Sequence, residues 1–320
     1  GHLFFALSTE LWMLFASRAL AGILSAATLP TAMAYIGDST SDEDRGSGMG
    51  MIGAAMGVGM VLGPGLGGWL AGMSLSMPFF VASALSALML VFVLVLLPES
   101  LPRDARDQAG KGMHGPQLGE MWKALFGPIG FLLILAFLVS FGLANFEAVF
   151  GLYALERYQY GPARVGTILT VIGLASALVQ GGLTGPLTRR WGEVIVIRAS
   201  LLGSAIGFVL MLQAQTYVAV LVTVSFFIIS NALLRPAVSS LISRRTSGGQ
   251  GVAMGLNNSF MSLGRMVGPA SAGFAFDLNL NYPYWSGSFI MLVGFCLSLG
   301  WLKPTDSVPE QPVSETKPLL

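Results

Sequence analysis

The chain has 320 residues, of which 54% are hydrophobic and 10% charged; a water-soluble domain carries about 25% charge, so a soluble globular fold is excluded. A formal net charge of +1 leaves no broad basic surface for a nucleic-acid partner. One cysteine, Cys296, in an apolar run where it is expected to face lipid or fill the core, and two histidines, His2 and His114, none with a second ligand at helical spacing, provide neither a disulfide framework nor a metal site.

A helix needs about 20 mainly apolar residues to cross a bilayer. Residues 1 to 8 read as the end of one such helix. Nine further spans are predicted at 10–36, 47–73, 78–98, 128–152, 164–187, 194–213, 216–242, 250–276 and 284–303. The fold class is therefore an all-α polytopic membrane protein. Residues 1–98 form a first helix bundle, 99–127 a polar connection, 128–303 a second bundle of six spans, and 304–320 a Pro-, Ser- and Glu-rich tail with the composition of a disordered segment. Alternate connections hold Arg45, Arg103, Arg106, Lys111, Lys123, Arg189, Arg190, Arg244, Arg245, Lys303 and Lys317, against only Arg157 and Arg164 on the other side. That asymmetry places the 99–127 loop and the C-terminal tail in the cytoplasm of a cell that carries the protein in its inner or plasma membrane.

The 47–73 span contains GMIGAAMGVGMVLGPGLGG, with eight glycines and Pro64 in 19 uncharged residues. Each interior glycine costs a water-exposed helix roughly 0.5–1 kcal/mol relative to alanine and an interior proline about 3. In a bilayer the same residues allow close backbone approach, and neighbouring helices satisfy the carbonyl that proline frees. This span is therefore expected to pack closely and to bend.

An internal repeat joins the two bundles. LPTAMAYIGDSTSDEDRGSGMG at 29–50 aligns with RPAVSSLISRRTSGGQGVAMG at 235–255, with one residue of slippage. At an offset of 205, Gly50, Gly59, Gly63, Pro64 and Gly68 fall on Gly255, Gly264, Gly268, Pro269 and Gly273. Parallel six-span repeats are one way of building a transporter. On that build the first half would begin roughly 77 residues before Gly1 (offset 205, second half from 128), so about two spans and most of a third are expected to precede it. The chain alone is then expected not to transport.

With these residues in place, the chain resembles the major facilitator superfamily, and within it the twelve-span drug:proton antiporters of multidrug and tetracycline efflux type. The resemblance makes the spans numbers four to twelve of a two-bundle fold with a pseudo-two-fold axis. The antiporter motif of the fifth span asks for Gly, eight residues, Gly, three residues, Gly-Pro, two residues and Gly-Gly; Gly50, Gly59, Gly63, Pro64, Gly67 and Gly68 meet every position. The fourth-span motif is met by Leu14, Arg18, Gly22 and Ala26, with Ala21 where a glutamine is usual. GPLTRRWGE, from Gly185 to Glu193, resembles the second-half copy of the cytoplasmic gate motif, with Arg189 at its aspartate position. The gate implied by this resemblance comprises Asp38, Arg45, Gly185, Arg190 and Gly192; ordinary positive-inside anchoring is the other reading of its arginines.

Three intramembrane charges are candidates for proton coupling. An arginine at a span centre costs at least about 2.5–3.5 kcal/mol, so Arg18 is expected to face the bundle interior and pair. Glu147 is the one acid deep in a span. A carboxyl group removed from water favours its neutral form unless a cation holds it charged, which suits binding and release of protons or contact with a cationic drug. Arg265 lies within roughly 6 Å of its depth, at about 1.5 Å per residue, and is expected to pair with it; a structural role is the alternative for both. Asn145, Phe146, Asn231, Asn257 and Asn258 supply the polar and aromatic groups of an adaptable, mainly apolar cavity.

The function expected is secondary active export of amphipathic drugs or antibiotics, cationic ones among them, in exchange for protons by alternating access. The alternatives are a proton-coupled exporter of a native metabolite, such as a sugar or amino acid, and a non-transporting membrane receptor or assembly partner. No phosphate loop and no cluster of Ser, His and Asp points to an enzyme, and no cofactor is called for. A monomer in the lipid bilayer, with small drugs and protons as its partners, completes the expectation.

Overall fold

The computed structural model describes residues 1–41, 44–99, 118–127, 129–246 and 250–303. The described residues form helices and turns with no strand. The 99–127 connection is described only at its ends, and the 304–320 tail lies outside the described residues. Among the described residues, seven stretches are long and apolar enough to cross a membrane: Leu11–Ser39, Arg45–Met73, Met77–Leu96, Gly130–Tyr158, Pro162–Gln213, Tyr217–Arg245 and Tyr282–Trp301.

Two compact units divide the chain, one holding 1–116 and 159–173 and the other 117–158 and 174–320. The first contains α1 (His2–Ala6), α2 (Leu11–Ser25), α3 (Thr28–Ser39), α4 (Arg45–Met73), α5 (Met77–Leu96) and the start of α8 (Pro162–Leu178). In the second, α6 (Leu118–Leu125) precedes α7 (Gly130–Tyr158), and the rest of α8 passes through a π-helical turn, Val179–Leu183, into α9 (Thr184–Gln213). There follow α10 (Tyr217–Ala232), α11 (Leu234–Arg245), α12 (Gln250–Leu278) and α13 (Tyr282–Trp301).

The spans read as continuous over 10–36 and 216–242 are each two helices, and one cause serves both. Pro30 has no N–H for the carbonyl of Ala26, and Pro236 none for that of Ala232. The chain breaks between α2 and α3 at Ala26–Ala27 and between α10 and α11 at Leu233. The repeat is thus visible as the same helix break in both units. Pro64 and Pro269, by contrast, lie inside unbroken helices.

The 52-residue stretch from Pro162 to Gln213 does not run straight. Gly192 adopts φ 77 and ψ 156 within α9, a left-handed conformation that glycine reaches without a Cβ penalty, so the chain turns there. The 164–187 and 194–213 spans lie on either side of that turn. Among the described helices of span length, α12 alone falls outside the seven apolar stretches, because Asn257, Asn258, Ser262 and Arg265 interrupt it.

Candidate functional site

The glycine-rich helix α4 meets α8 within the first unit. A Cβ added to Gly68 would stand 2.5 Å from the carbonyl oxygen of Pro162 and 2.8 Å from Gly166 Cα. One added to Gly166 would stand 2.6 Å from Pro64 O and 2.8 Å from Gly68 Cα. Gly65 faces the Thr170 side chain, and a Cβ added to Gly173 would stand 3.3 Å from Met60 O, the carbonyl that Pro64 deprives of its helical N–H. Gly50, Gly59, Gly63 and Gly67 have nothing within 4 Å of an added Cβ among the described residues. Of the six motif residues, Gly68 and Pro64 therefore touch α8, while Gly65, Gly166 and Gly173 join them from outside the motif.

The second unit uses the repeat differently. Gly264, the counterpart of Gly59, lies against Phe137 O, Phe141 N and Ser140 Cβ of α7, and an added Cβ on Gly268, the counterpart of Gly63, would stand 2.9 Å from Phe141 O. These two glycines seat α12 along α7 and fix its register, with Gly268 level with Ala144 and Asn145. From that register Glu147 stands two to three residues above Gly268 and Arg265 three below, a separation along the helices of about 8 Å at 1.5 Å per residue. The two make no direct ion pair within 4 Å among the described residues.

Arg235, which is not among the candidates above, opens α11 just beyond the Leu233 break. Its signal in the sequence was its place beside Pro236: a charge at a helix break inside a span. Glu147, Arg235 and Arg265 are all exposed on the second unit.

The polar cavity candidates divide by burial. Asn145, Phe146, Asn231 and Asn257 are each at most 3% exposed, whereas Asn258 is exposed. Asn145 Nδ2 donates to Pro283 O at 3.1 Å and Asn257 Nδ2 to Ser239 Oγ at 3.1 Å, so both tie helices together. Asn145 Oδ1, Asn231 Nδ2 and Asn257 Oδ1 are buried without a hydrogen-bond partner among the described residues. Phe146 sits among rings, 5.3 Å from Phe227 and 4.9 Å from Phe150 between centroids.

Among the described residues Arg18, which is exposed, meets aromatic faces and no carboxylate. Its guanidinium lies 4.5 Å from the Phe5 ring centroid and 5.9 Å from that of Phe79, and the two rings are 4.2 Å apart. Such a cation–π contact supplies about 0.5–2 kcal/mol, depending on desolvation.

Of the gate candidates, Arg45 donates to Gly37 O at 3.3 Å, bridging α4 to α3, which carries Asp38. Gly185 and Arg190 lie on the exposed side of α9 before the Gly192 turn. The residue after the turn, Glu193, is 5% exposed at its side chain and accepts from Arg244 Nε at 3.1 Å and Ser240 Oγ at 3.1 Å. At the offset of 206 that sets Pro236 on Pro30, Arg244 falls on Asp38, so this position carries opposite charge in the two halves. In the sequence Arg244 carries only the signature of a positive-inside anchor, because its partner lies 51 positions away. Arg198 was also missed. Its Nη2 donates to Ser298 O at 3.0 Å, Leu299 O at 3.3 Å and Leu302 O, capping the C-terminus of α13 where orphan carbonyls favour a cation.

Comparison with known proteins agrees with this architecture. The Major Facilitator Superfamily model matches residues 1–193 and 132–319. Multidrug resistance protein 2 of Bacillus subtilis is 33% identical over 302 residues, covering 94% of this chain and 76% of its own length. Multidrug resistance protein 1 of the same organism is 34% identical over 313 residues, covering 95% and 79%. The quinolone resistance protein NorA of Staphylococcus aureus is 28% identical over 296 residues, covering 92% and 75%. Among solved structures, the human organic anion transporter MFSD10 (TETRAN) superposes with a TM-score of 0.60 at 25% identity, covering 93% of this chain and 73% of that one. A bacterial homologue of the lysosomal transporter Spinster gives 0.65 at 14% identity over 94% and 78%, a likeness of fold. With a family profile matched across both bundles and relatives one-third identical over nearly the whole chain, this multi-pass membrane protein belongs to the major facilitator superfamily.

Proposed function

We propose that the protein is a drug transporter of the bacterial plasma membrane that expels amphipathic compounds in exchange for protons by alternating access. The observation that carries this reading is the complete antiporter motif from Gly50 to Gly68, in a chain about one-third identical to two multidrug resistance proteins. A glycine-lined helix contact suits the motion, because backbones in contact without side chains slide or rock with little steric cost. Glu147 is assigned the proton, with Arg265 biasing its charge state, and Arg18 a supporting role in the first unit. Asn258, exposed on α12, and the aromatic and asparagine residues around Phe146 are assigned to the substrate path. Asp38, Arg45, Gly185, Arg190 and Gly192 are assigned to closure on the cytoplasmic side, where the C-terminus also lies. The working unit is taken as a monomer.

The test is efflux of a fluorescent dye from cells expressing the full native gene product. Dye export that stops on adding a protonophore, and that an imposed proton gradient drives in proteoliposomes, is the expected result. Export indifferent to the gradient would refute antiport, and absence of export for a panel of amphipathic dyes would refute drug transport.

A further inference from the structure

Three buried polar atoms along the seam between α7 and α13 lack a partner. Asn145, Tyr153 and Tyr284 are each 1% exposed. Asn145 Oδ1 and the hydroxyls of Tyr153 and Tyr284 make no hydrogen bond among the described residues. Inside a membrane span each such atom carries a desolvation cost that only a partner offsets.

Contacts bring the three to one seam. Asn145 Nδ2 donates to Pro283 O at 3.1 Å, which seats the amide against the start of α13. The ring of Tyr284, the next residue, lies 4.4 Å from that of Tyr153 between centroids, tilted by 51°. On α7, Asn145 and Tyr153 are about 80° of arc apart at 3.6 residues per turn, whereas Glu147 stands about 160° from the first and about 120° from the second. Glu147 is exposed where these two are buried. The seam therefore runs along the side of α7 turned away from Glu147.

The neighbouring polar groups are directed elsewhere. Tyr158 donates its hydroxyl proton to Ala214 O at 2.8 Å, and Arg157, exposed at the end of α7, donates to Leu212 O at 2.9 Å. Phe208 supplies an apolar wall, 6.2 Å from Tyr284 between ring centroids. The partner that suits this place is small and neutral, because burial excludes a large group and no charged side chain is buried along the seam among the described residues to hold an ion. It must also donate as well as accept, since Asn145 Oδ1 only accepts and each tyrosine hydroxyl does either. Water meets these conditions, and a buried water typically makes about three hydrogen bonds. Tyr153 lies five residues from the end of α7 and Tyr284 is the third residue of α13, so the way in from the helix ends is short.

We propose that the seam between α7 and α13 binds water, with one molecule shared by the hydroxyls of Tyr153 and Tyr284 and the hydrated stretch ending at Asn145 Oδ1. The water ties α7, the helix that carries Glu147, to α13 by hydrogen bonds that no side chain supplies. This goes beyond the drug-transport reading and does not depend on it.

Two measurements on the full native gene product in a neutral detergent test the site. The first is thermal unfolding of Tyr153→Phe, Tyr284→Phe and the double variant. A hydroxyl bonded to water loses that bond on becoming phenylalanine, whereas a bare buried hydroxyl loses only its desolvation cost, so the sign of the shift separates the two. Each single variant is expected to lower the midpoint by about 2 °C, and the double variant by clearly less than the sum, since one water serves both. A raised or unchanged midpoint in either single variant overturns the site, and strictly additive losses overturn the shared molecule. The second measurement needs no variant: a millisecond X-ray pulse in water enriched in oxygen-18 makes hydroxyl radicals from bound as well as bulk water. After correction for intrinsic reactivity, Tyr153 and Tyr284 are both expected to take up label about fivefold faster than Leu132, Leu133 and Leu135, the fully buried leucines of α7. Label at neither tyrosine above the level of those leucines overturns the proposal, and label at one alone overturns the shared molecule.

Discussion

Gly68 and Gly166 meet backbone to backbone, each in the place where the other's Cβ would be, with 2.8 Å from either added Cβ to the opposing Cα. A side chain at either position has no rotamer that avoids the clash, because the obstruction is main chain. Gly67, one residue away on the same helix, has nothing within 4 Å among the described residues. Gly68→Ala and Gly166→Ala are therefore expected to separate α4 from α8 and reduce transport at least tenfold, whereas Gly67→Ala leaves it within twofold. Dye efflux normalised to membrane expression measures this. Equal sensitivity at Gly67 and Gly68 would show that the contact is not what the motif protects.

That distinction was not legible beforehand, for a physical reason. Residues 50–68 are apolar on all sides and carry glycine on every face, so no periodicity marks the stripe that packs. The existence of the helices, by contrast, follows from their apolar length, and the repeat follows from the spacing of Gly50, Gly59, Gly63, Pro64 and Gly68. The helix breaks before Pro30 and Pro236 were available in the sequence through their missing N–H groups, but long apolar runs concealed them. Glu147 and Arg265 stand out as charges in apolar runs. Glu193 and Arg198 do not, because their partners are 47 to 104 residues away and only the fold brings them together.

The cation–π arrangement of Arg18 with Phe5 makes the ring, and not a carboxylate, the group to remove. Phe5→Leu keeps the apolar volume and removes the quadrupole that attracts the guanidinium, which is worth about 0.5–2 kcal/mol. The expected result is a lower thermal unfolding midpoint in detergent, with a smaller further loss when Arg18→Gln is added than Arg18→Gln causes alone. Strictly additive losses would leave the two residues uncoupled.

Arg198 closes the end of α13, and the carbonyls of Ser298, Leu299 and Leu302 share its one terminal nitrogen. Ser298 and Leu302 are at most 1% exposed, so water does not readily replace that donor. Arg198→Ala should destabilise the protein by about 1–3 kcal/mol, the cost of unsatisfied buried acceptors. Arg198→Lys should recover a part only, since a point charge lacks the fork. Hydrogen exchange over 294–303 should rise in the alanine variant; unchanged protection there would mean that the cap does not hold the helix end.

Glu193 and Arg244 offer a sharper test, because the two sides of the pair are unequal. The carboxylate is 5% exposed and the guanidinium 51%, so removing one strands a charge and removing the other does not. Arg244→Ala leaves a buried carboxylate with, among the described residues, only the Ser240 hydroxyl, 3.1 Å away, to stabilise it. For a fully buried pair that loss reaches about 3–5 kcal/mol; half exposure of Arg244 lowers it to about 2. Glu193→Gln should cost less, since the amide keeps a hydrogen bond with Ser240 and the freed arginine turns to water. Adding Glu193→Gln to Arg244→Ala should then raise stability above that of Arg244→Ala alone, by removing the stranded charge. Thermal unfolding of the two single variants and the double variant at one pH and ionic strength measures this. A double variant less stable than Arg244→Ala would show that the buried carboxylate is held by something other than this arginine.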